Sequence, residues 1–322
     1  MSFTAASTFP AKLFHCDDLI AATRAKMVPP IHVQLVLTNK CNLNCSYCSC
    51  REVDRTEELS YQEAIDIMYE FKKIGCRAVT ITGGGEPLLH PQFSEIVTYI
   101  REKLDIQMGL VTNGLLLHQI DPDILNLFTW CRISHDDERS FGDVYIRNLG
   151  QAVSGANEVD WAFSYVLTRN PDYEKISRII QFANYYKFTH VRVVSDLLDL
   201  EAVEDMGLVE MAMKGTFVDD SIVVYQGRKD WVHGVEKCWM SLLKPTVGAN
   251  GFLYPCCGAQ YAEKEPSRNY GDSMKLCHWL DIDEVWRRQS PFDGTACEAC
   301  YYNDYNEALK IMTADLEHKE FV

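Results

Sequence analysis

Three cysteines in one short polar loop constrain this chain more than any other feature. Cys41, Cys45 and Cys48 are separated by three and then by two residues, and they directly follow an apolar run at residues 33–37. A flexible polar loop lets three sulfur atoms point at one centre, so these thiolates can hold three corners of an iron–sulfur cubane. The fourth iron of a cubane would then lack a protein ligand, and an open position on a metal is where a substrate or cofactor binds.

A zinc knuckle or a structural thiol cluster is the alternative for the same loop. Such a site needs a fourth Cys or His at a fixed spacing. Cys50 is available, but it would form a strained C-x-C pair with Cys48. The spacing of the first three cysteines, the aromatic Tyr47 before the last of them and the strand before the first favour the iron–sulfur centre.

The loop resembles the C-x3-C-x2-C motif of radical S-adenosylmethionine (SAM) enzymes. The resemblance implies that Cys41, Cys45 and Cys48 hold a [4Fe-4S] cluster whose unique iron is chelated by SAM. It also implies that one electron cleaves SAM to methionine and a 5'-deoxyadenosyl radical. The expected protein is therefore a radical SAM oxidoreductase or a related enzyme, supplied with electrons by a flavodoxin- or ferredoxin-type donor.

Composition and charge narrow the class of partner. The 322 residues are 47% hydrophobic and 24% charged, which is ordinary for a globular protein. A formal net charge of -15 argues against nucleic acid, because phosphate backbones are bound by clustered Lys and Arg. No apolar run approaches the roughly 18 residues of a membrane span, and the first thirty residues lack a signal-peptide pattern. The 13 cysteines suggest metal ligation in a reducing compartment. We therefore predict a cytoplasmic protein without a membrane partner.

From residue 31 onward, short β-rich runs alternate with amphipathic helical stretches. Strands that alternate with helices imply parallel pairing and right-handed crossovers. Six such units predict an α/β fold, a partial (β/α)6 barrel of the kind that the radical SAM resemblance implies. A capping box at Ser60 and Glu63 marks one helix start. The predicted strands are residues 33–37, 78–82, 106–112, 131–134, 163–168 and 190–194. The predicted helices are residues 60–74, 91–103, 172–187 and 303–317, with a further start at 121–122.

The chain divides into three predicted segments. Residues 1–30 show no clear period and are expected to form an N-terminal extension. Residues 31–228 are the predicted barrel. Residues 229–322 are the predicted small cysteine-rich domain, which contains a β-hairpin and ends in a helix.

A glycine-rich motif follows the second predicted strand. Residues 83–87 read Gly-Gly-Gly-Glu-Pro. Glycines let a backbone approach a bound small molecule, and the glutamate offers an acceptor for an ammonium group. By resemblance, Gly84, Gly85 and Glu86 hold the amino group of SAM.

Other candidate cofactor contacts also lie on loops at the carboxyl ends of strands, where parallel barrels collect functional groups. In the family, the loop of Asn113 borders the SAM pocket, and the resemblance assigns Ser134 to the SAM ribose. Thr168 would contact the ribose or methionine part, and Tyr47 would lie along the adenine. An ordinary turn, a solvated loop or a core aromatic is the alternative for these positions.

His135, Asp136 and Asp137 depart from the family pattern, in which an apolar residue commonly follows the serine. They place an imidazole and two carboxylates at the predicted mouth of the barrel. We therefore predict that they contact the substrate, with His135 and Asp136 as candidate general bases. A capped, solvated loop is the alternative.

A second group of cysteines lies in the tail. A hairpin signal at residues 246–254 brings the first two of them near each other, and the last two form a C-x2-C pair. Four thiolates make a closed site, for zinc or for iron–sulfur. The arrangement resembles the twitch domain, a shortened SPASM domain, and implies an auxiliary [4Fe-4S] cluster. Its spacings are similar to those of 2-deoxy-scyllo-inosamine dehydrogenases, which oxidise an alcohol. Cys257 could replace its neighbour as a ligand or donate a hydrogen atom. The expected ligands are Cys238, Cys256, Cys297 and Cys300.

Three functions are consistent with these motifs. The first is oxidation or epimerisation of a small polar metabolite such as an amino sugar. The second is modification of a ribosomal peptide, although residues 1–30 are too short for the winged helix that would bind one. The third is a non-enzymatic iron–sulfur or zinc scaffold or electron carrier, which would bind metal without SAM and would leave the glycine motif unexplained.

Overall fold

A sheet of ten strands organises the computed structural model, which describes residues 15–199, 201–203, 205–216, 218–227, 232–262, 271–315 and 317. The strands are β1 (His32–Val36), β2 (Ala78–Thr82), β3 (Gln107–Thr112), β4 (Trp130–Asp136), β5 (Asp160–Leu167), β6 (His190–Ser195), β7 (Val223–Gln226), β8 (Thr246–Val247), β9 (Phe252–Tyr254) and β10 (Cys277–His278). Their order in the sheet is β10-β9-β8-β1-β2-β3-β4-β5-β6-β7. All neighbours from β1 to β7 pair in parallel, which confirms the predicted α/β partial barrel.

Most of the helices connect successive strands, while Asp17–Arg24 precedes β1 and two helices follow β10. The capping box is formed, since Ser60 Oγ accepts from the backbone N–H of Glu63 at 3.2 Å and the Glu63 carboxylate accepts from the backbone N–H of Ser60 at 2.8 Å. Among the described residues, no helix is long and apolar enough to cross a bilayer. The α-helices are Asp17–Arg24, Tyr61–Lys73, Phe93–Glu102, Pro122–Leu125, Asp143–Gly155, Tyr173–Tyr185, Met206–Lys214, Met240–Leu243, Ile282–Arg288 and Asn303–Thr313.

Five of these helices were not predicted from the sequence: Asp17–Arg24, Asp143–Gly155, Met206–Lys214, Met240–Leu243 and Ile282–Arg288. Asp17–Arg24 forms within the extension that showed no period, and it lies against the terminal helix Asn303–Thr313. Asp143–Gly155 contains poor helix formers, and a Cβ at Gly150 would lie 2.3 Å from the Tyr186 hydroxyl oxygen. Tertiary packing therefore stabilises a helix that intrinsic propensity disfavours.

The tail continues the barrel sheet. Strand β8 pairs in parallel with β1, and β9 and β10 follow antiparallel. The hairpin turn uses Gly251 at φ +77°, a conformation that favours glycine. The second cysteine group is thus attached beside the strand that carries the first. The predicted domain boundary at residues 228 and 229 lies outside the described residues and stays a prediction.

Alternation along β4, β5 and β6 decides which side chains enter the barrel. Cys131, Ile133 and Phe163 are buried on the helix-covered face. Residues one position away point to the opposite face, because successive side chains of a strand alternate. The inner face is consequently polar, with Arg132, Ser134, Ser164 and Arg192 on three adjacent strands.

Candidate functional site

The loop of the three cysteines begins where β1 ends. The Cys41 sulfur accepts from the backbone N–H of Leu43 at 3.4 Å, and the N–H of Cys48 donates to the Cys45 carbonyl at 3.2 Å. Burial raises the pKa of the Cys41 and Cys45 thiols, while the charges of Arg55 and Arg139 oppose that rise. Thiolates in this loop would therefore need a bound metal's charge to be stable, as iron–sulfur ligation supplies.

The glycine motif packs directly on the start of this loop. The N–H of Gly85 donates to the Thr38 carbonyl at 3.0 Å, and the N–H of Glu86 donates to the Lys40 carbonyl at 2.8 Å. A Cβ at Gly85 would lie 2.0 Å from the Lys40 carbonyl oxygen, and one at Gly84 would lie 1.7 Å from Asn39 Oδ1. In this structure the glycines are needed for contact between two loops. Their predicted contact with SAM stays a prediction.

Glu86 is 2% exposed and joins this motif to the end of β3. Its carboxylate accepts from the Thr112 hydroxyl at 2.6 Å, the N–H of Asn113 at 2.7 Å and the N–H of Leu88 at 3.3 Å. Burial raises the pKa of Glu86, and these hydrogen bonds oppose the rise. The carboxylate thus orients the Asn113 loop, and Asn113 Nδ2 in turn donates to Asn42 Oδ1 in the cysteine loop at 2.7 Å.

Asp136 fixes the other side of the cysteine loop. It is fully buried, accepts from the Tyr47 hydroxyl at 2.8 Å, and pairs with the Arg139 guanidinium. The backbone N–H groups of Glu138 and Arg139 also donate to it, each at 2.9 Å. Burial would raise the pKa of Asp136, but the positive charge of Arg139 and the hydrogen bonds bring it below the ordinary value. Asp136 is an ionised anchor for Tyr47 in this arrangement.

The predicted position of His135 at the mouth of the barrel is wrong. Its side chain is 1% exposed, stacks on Tyr165 with ring centroids 5.9 Å apart, and meets Phe141 edge-on. Alternation explains the difference: Ser134 faces inward, so His135 faces the helices. Its Nδ1 accepts from the backbone N–H of Asp136 at 2.9 Å. Asp136 is also buried, in its ion pair with Arg139. Neither His135 nor Asp136 is therefore accessible as a general base in this structure.

His135 predicts a measurable loss of stability in acid. Burial and the charge of Arg139 lower its pKa from 6.5 to about 4, so the unfolded chain binds this proton before the folded chain does. The unfolding free energy should therefore fall between about pH 6.5 and about pH 4, by about 3 kcal/mol from this residue. Urea unfolding of metal-free protein across this range should show a shallower fall for His135→Phe. The exposed control His15→Phe should follow the wild type, and an unchanged slope in His135→Phe would contradict the assignment.

Asp137 and Thr168 form a second anchor at the ends of β4 and β5. Asp137 accepts from the Tyr165 hydroxyl at 2.7 Å, the N–H of Thr168 at 2.6 Å and the N–H of Asp172 at 2.8 Å. The Thr168 hydroxyl also donates to this carboxylate, at 3.2 Å. Asp137 therefore orders the loop after β5. Ser134 is half-buried on the inner face, and the predicted cofactor contacts of Ser134 and Thr168 stay predictions.

The four predicted tail ligands influence one another electrostatically, and their binding of one cluster stays a prediction. The N–H of Cys238 donates to the Phe292 carbonyl, and the N–H of Gly234 donates to the Cys297 carbonyl. Burial raises the pKa of Cys238 to about 11 and of Cys297 to about 12, and each is also raised by the negative charge of Cys300. In the described part of the chain, no three or more His, Cys, Asp or Glu side chains close around a single ion.

Cys256 and Cys257 differ in their surroundings. Burial and the neighbouring Cys257 raise the pKa of the Cys256 thiol, and the charges of Cys238 and Cys297 raise it further. Cys256 is therefore within electrostatic reach of two other predicted tail ligands. Cys257 instead shares a hydrogen bond with the Tyr302 hydroxyl at 3.1 Å. This geometry favours Cys256 as the ligand, which the sequence left open.

Cys50, which the sequence offered as a possible fourth ligand, and Gln260, which it did not single out, connect the two cysteine groups. The buried Cys50 thiol donates to Gln260 Oε1 at 2.6 Å, so it is not placed as a fourth ligand of the first group. Gln260 Nε2 donates to the Cys257 carbonyl at 3.0 Å. Only the fold brings residues this distant in sequence together, and no local motif marks either of them.

A cavity of about 190 Å³ lies between the cysteine loop, the inner face of β5 to β7 and the tail. Tyr47 and Ser49 line it from the loop, and Tyr261 and Tyr301 line it from the tail. Its sheet face includes Ser164, Arg192, Asp196 and Gln226. The cavity is of a size for part of a small polar molecule, and it touches both cysteine regions.

Comparison with known proteins identifies the first part of the barrel. Residues 35–129 match the model of the Radical SAM superfamily. A probable GTP 3',8-cyclase of Archaeoglobus fulgidus is 38% identical over 89 residues, which are 27% of this chain and 29% of that protein. A GTP 3',8-cyclase of Synechocystis sp. is 30% identical over 172 residues, which are 48% of this chain and 51% of that protein. The chain thus spans about half the length of these curated relatives, or less.

Solved structures share the fold at low identity. The structure of Streptococcus suis SuiB bound to S-adenosylmethionine has a TM-score of 0.60 at 14% identity and covers 96% of this chain and 81% of SuiB. A structure of anSMEcpe with bound AdoMet and a Kp18Cys peptide has a TM-score of 0.54 at 13% identity, covering 91% of this chain and 86% of that one. The recognition of a radical SAM fold from the cysteine loop is confirmed.

Proposed function

We propose that this chain, which carries a radical SAM domain over residues 35–129, abstracts a hydrogen atom from a small polar substrate bound in the cavity. The radical SAM family implies SAM and a [4Fe-4S] cluster as cofactors. The observation that carries the proposal is that Tyr47 lines the same cavity as Tyr261 and Tyr301. A substrate there would lie between the predicted cluster loop and the tail.

The residues present fit the implied cluster. Cys41, Cys45 and Cys48 would hold it, and they are half-exposed thiols in one loop with electrostatic influence on one another. When bound, the cluster would supply the electron that cleaves SAM to methionine and a 5'-deoxyadenosyl radical. The predicted auxiliary [4Fe-4S] cluster would be held by Cys238, Cys256, Cys297 and Cys300, and the electrostatic influence of these thiols on one another supports it.

The chain's own residues would position the reactants and exclude water. Asp136 holds the Tyr47 hydroxyl at 2.8 Å, so this ring is fixed at the wall that the cavity shares with the cysteine loop. Tyr261 and Tyr301 line the cavity from the tail. Side chains around a bound substrate would hold one C–H bond in place and limit the access of water to the radical.

Oxidation or epimerisation of a small metabolite is the reaction that we propose for this site. The limited cavity volume supports a small substrate, and a second redox centre in the tail would accept the electron in an oxidation. An amino sugar and a ribosomal peptide both stay predictions. The GTP cyclisation that names the curated relatives is not proposed for this chain, because the matches span only 29% and 51% of those proteins.

The test is anaerobic reconstitution with iron and sulfide, followed by addition of dithionite and SAM. We expect 5'-deoxyadenosine, and transfer of deuterium into it from a labelled substrate in a metabolite panel. A protein that binds iron but forms no 5'-deoxyadenosine would contradict the proposal and favour a scaffold or electron carrier. Zinc bound in the tail of the native protein would contradict the auxiliary cluster.

A further inference from the structure

Arg192 places a guanidinium at the cavity, and one of its atoms has no partner among the described residues. Arg192 projects into it from β6, and its buried Nε has no hydrogen-bond partner in the part of the chain that the structure describes. Nor does its guanidinium form an ion pair with any described carboxylate. A buried polar atom without a hydrogen-bond partner is costly, and native proteins seldom leave one unpaired. The missing partner is therefore to be sought in a ligand.

A second polar group without a partner lines the same cavity. Gln226 lies on β7, the neighbouring strand, with Val194↔Gln226 and Arg192↔Val224 in register. Its Oε1 is buried and has no hydrogen-bond partner among the described residues. The amide can accept from a hydroxyl or, after a flip, donate to an oxygen. Two orphaned polar groups on adjacent strands indicate a site built for a polar ligand.

The surroundings of Arg192 add positive charge. Arg132 lies two strands away on the same inner face, and burial together with the charge of Arg192 lowers the pKa of Arg132. The other groups that act most strongly on Arg132 are the Cys257 thiol and the hydroxyls of Tyr301 and Tyr302, none of them a carboxylate. Asp196 lines the cavity too, and its Oδ1 accepts from the N–H of Leu198 at 2.9 Å.

We propose that Arg192, reinforced by Arg132 and Gln226, binds a carboxylate or phosphate group of the substrate. The inference rests on the proposed function for the identity of the ligand as a substrate. A guanidinium matches the planar or tetrahedral oxygens of such groups and binds them through charge-assisted hydrogen bonds. The anionic end would lie at β6 and the reacting C–H toward Tyr47.

The experiment measures anion binding directly. Inorganic phosphate and malonate, as phosphate and carboxylate probes, are titrated calorimetrically into reconstituted protein with and without saturating SAM. We expect one saturable site per chain, with the better probe identifying the preferred group. Arg192→Gln should weaken binding by roughly tenfold or more, because it removes the positive charge that lines the cavity. Arg132→Gln should weaken binding by less, because Arg132 lies two strands away. Arg192→Lys, which keeps the charge, should retain most of the affinity.

The controls separate this inference from the proposed function. Arg178→Gln removes an exposed arginine outside the cavity and should bind the probes as the wild type does. Three results would overturn the inference. The wild-type protein could show no saturable binding, Arg192→Gln could bind the probes as well as the wild type, or SAM could displace the probe. The last result would assign Arg192 to the cofactor. Substrate-independent formation of 5'-deoxyadenosine, measured on the same samples, tests the radical chemistry independently of anion binding.

Discussion

Replacing Cys45 by Ala should abolish SAM cleavage. Cys45 is the middle of the three thiols, and the backbone turn at Cys48 is tied to its carbonyl at 3.2 Å. Two remaining thiolates cannot hold three corners of a cubane, so we expect 5'-deoxyadenosine formation to fall roughly 10³-fold or more, equal to about 4 kcal/mol of barrier. The measurement is the product yield per chain after anaerobic reconstitution with dithionite and SAM.

Iron content provides the matched control for this variant. Wild type should contain about eight irons per chain, and Cys45→Ala about four. The double variant Cys238→Ala, Cys297→Ala should also contain about four, but it should still cleave SAM because the first loop is intact. If Cys45→Ala kept full iron and full cleavage, the assignment of the three cysteines would be wrong. If the double variant lost no iron, the auxiliary cluster would be excluded.

Asp136→Asn should markedly lower the free energy of unfolding. The substitution leaves the Arg139 side chain, which is 14% exposed, without its counter-charge, and it weakens the acceptor of the Tyr47 hydroxyl. Breaking a buried ion pair from one side commonly costs several kcal/mol, so we expect the unfolding free energy to fall by about 3 kcal/mol. Urea unfolding of the metal-free protein measures it.

Glu210→Gln is the matched control for Asp136→Asn. It removes one partner of the exposed Lys214–Glu210 pair, 2.6 Å long, on the surface of the helix Met206–Lys214. Exposed ion pairs contribute little, so its effect should stay within about 0.5 kcal/mol. If both variants lost the same small amount, Asp136 would not be the anchor of the cysteine loop.

Local patterns were sufficient for the elements and for the first metal site. Short β-rich runs predicted β1 to β6, with ends that moved by up to three residues, because strand ends depend on neighbours rather than on the strand itself. The capping box at Ser60 predicted its helix because the two hydrogen bonds that define it lie within four residues. The cysteine loop was recognisable for the same reason.

Side-chain direction was harder to predict. His135 and Asp136 were expected at the mouth because they follow a strand that ends near Ser134. The strand in fact continues to Asp136, and this extension turns His135 toward the aromatic core. A boundary error of two residues therefore reversed the environment of a candidate base. Arg139, three residues later, is the partner that keeps Asp136 ionised, and no sequence motif marks it.

The sequence by itself determined the cysteine spacing, the glycine motif and the alternation of strands and helices, because each is a short-range pattern with a local physical cause. Only the tertiary structure decided what faces the cavity. It joined β8 to β1, brought Gln260 to Cys50, and placed Arg192 and Gln226 on the same face of adjacent strands, two positions apart in register. These contacts connect residues far apart in the chain, and their geometry depends on sheet register and packing, which no single segment encodes.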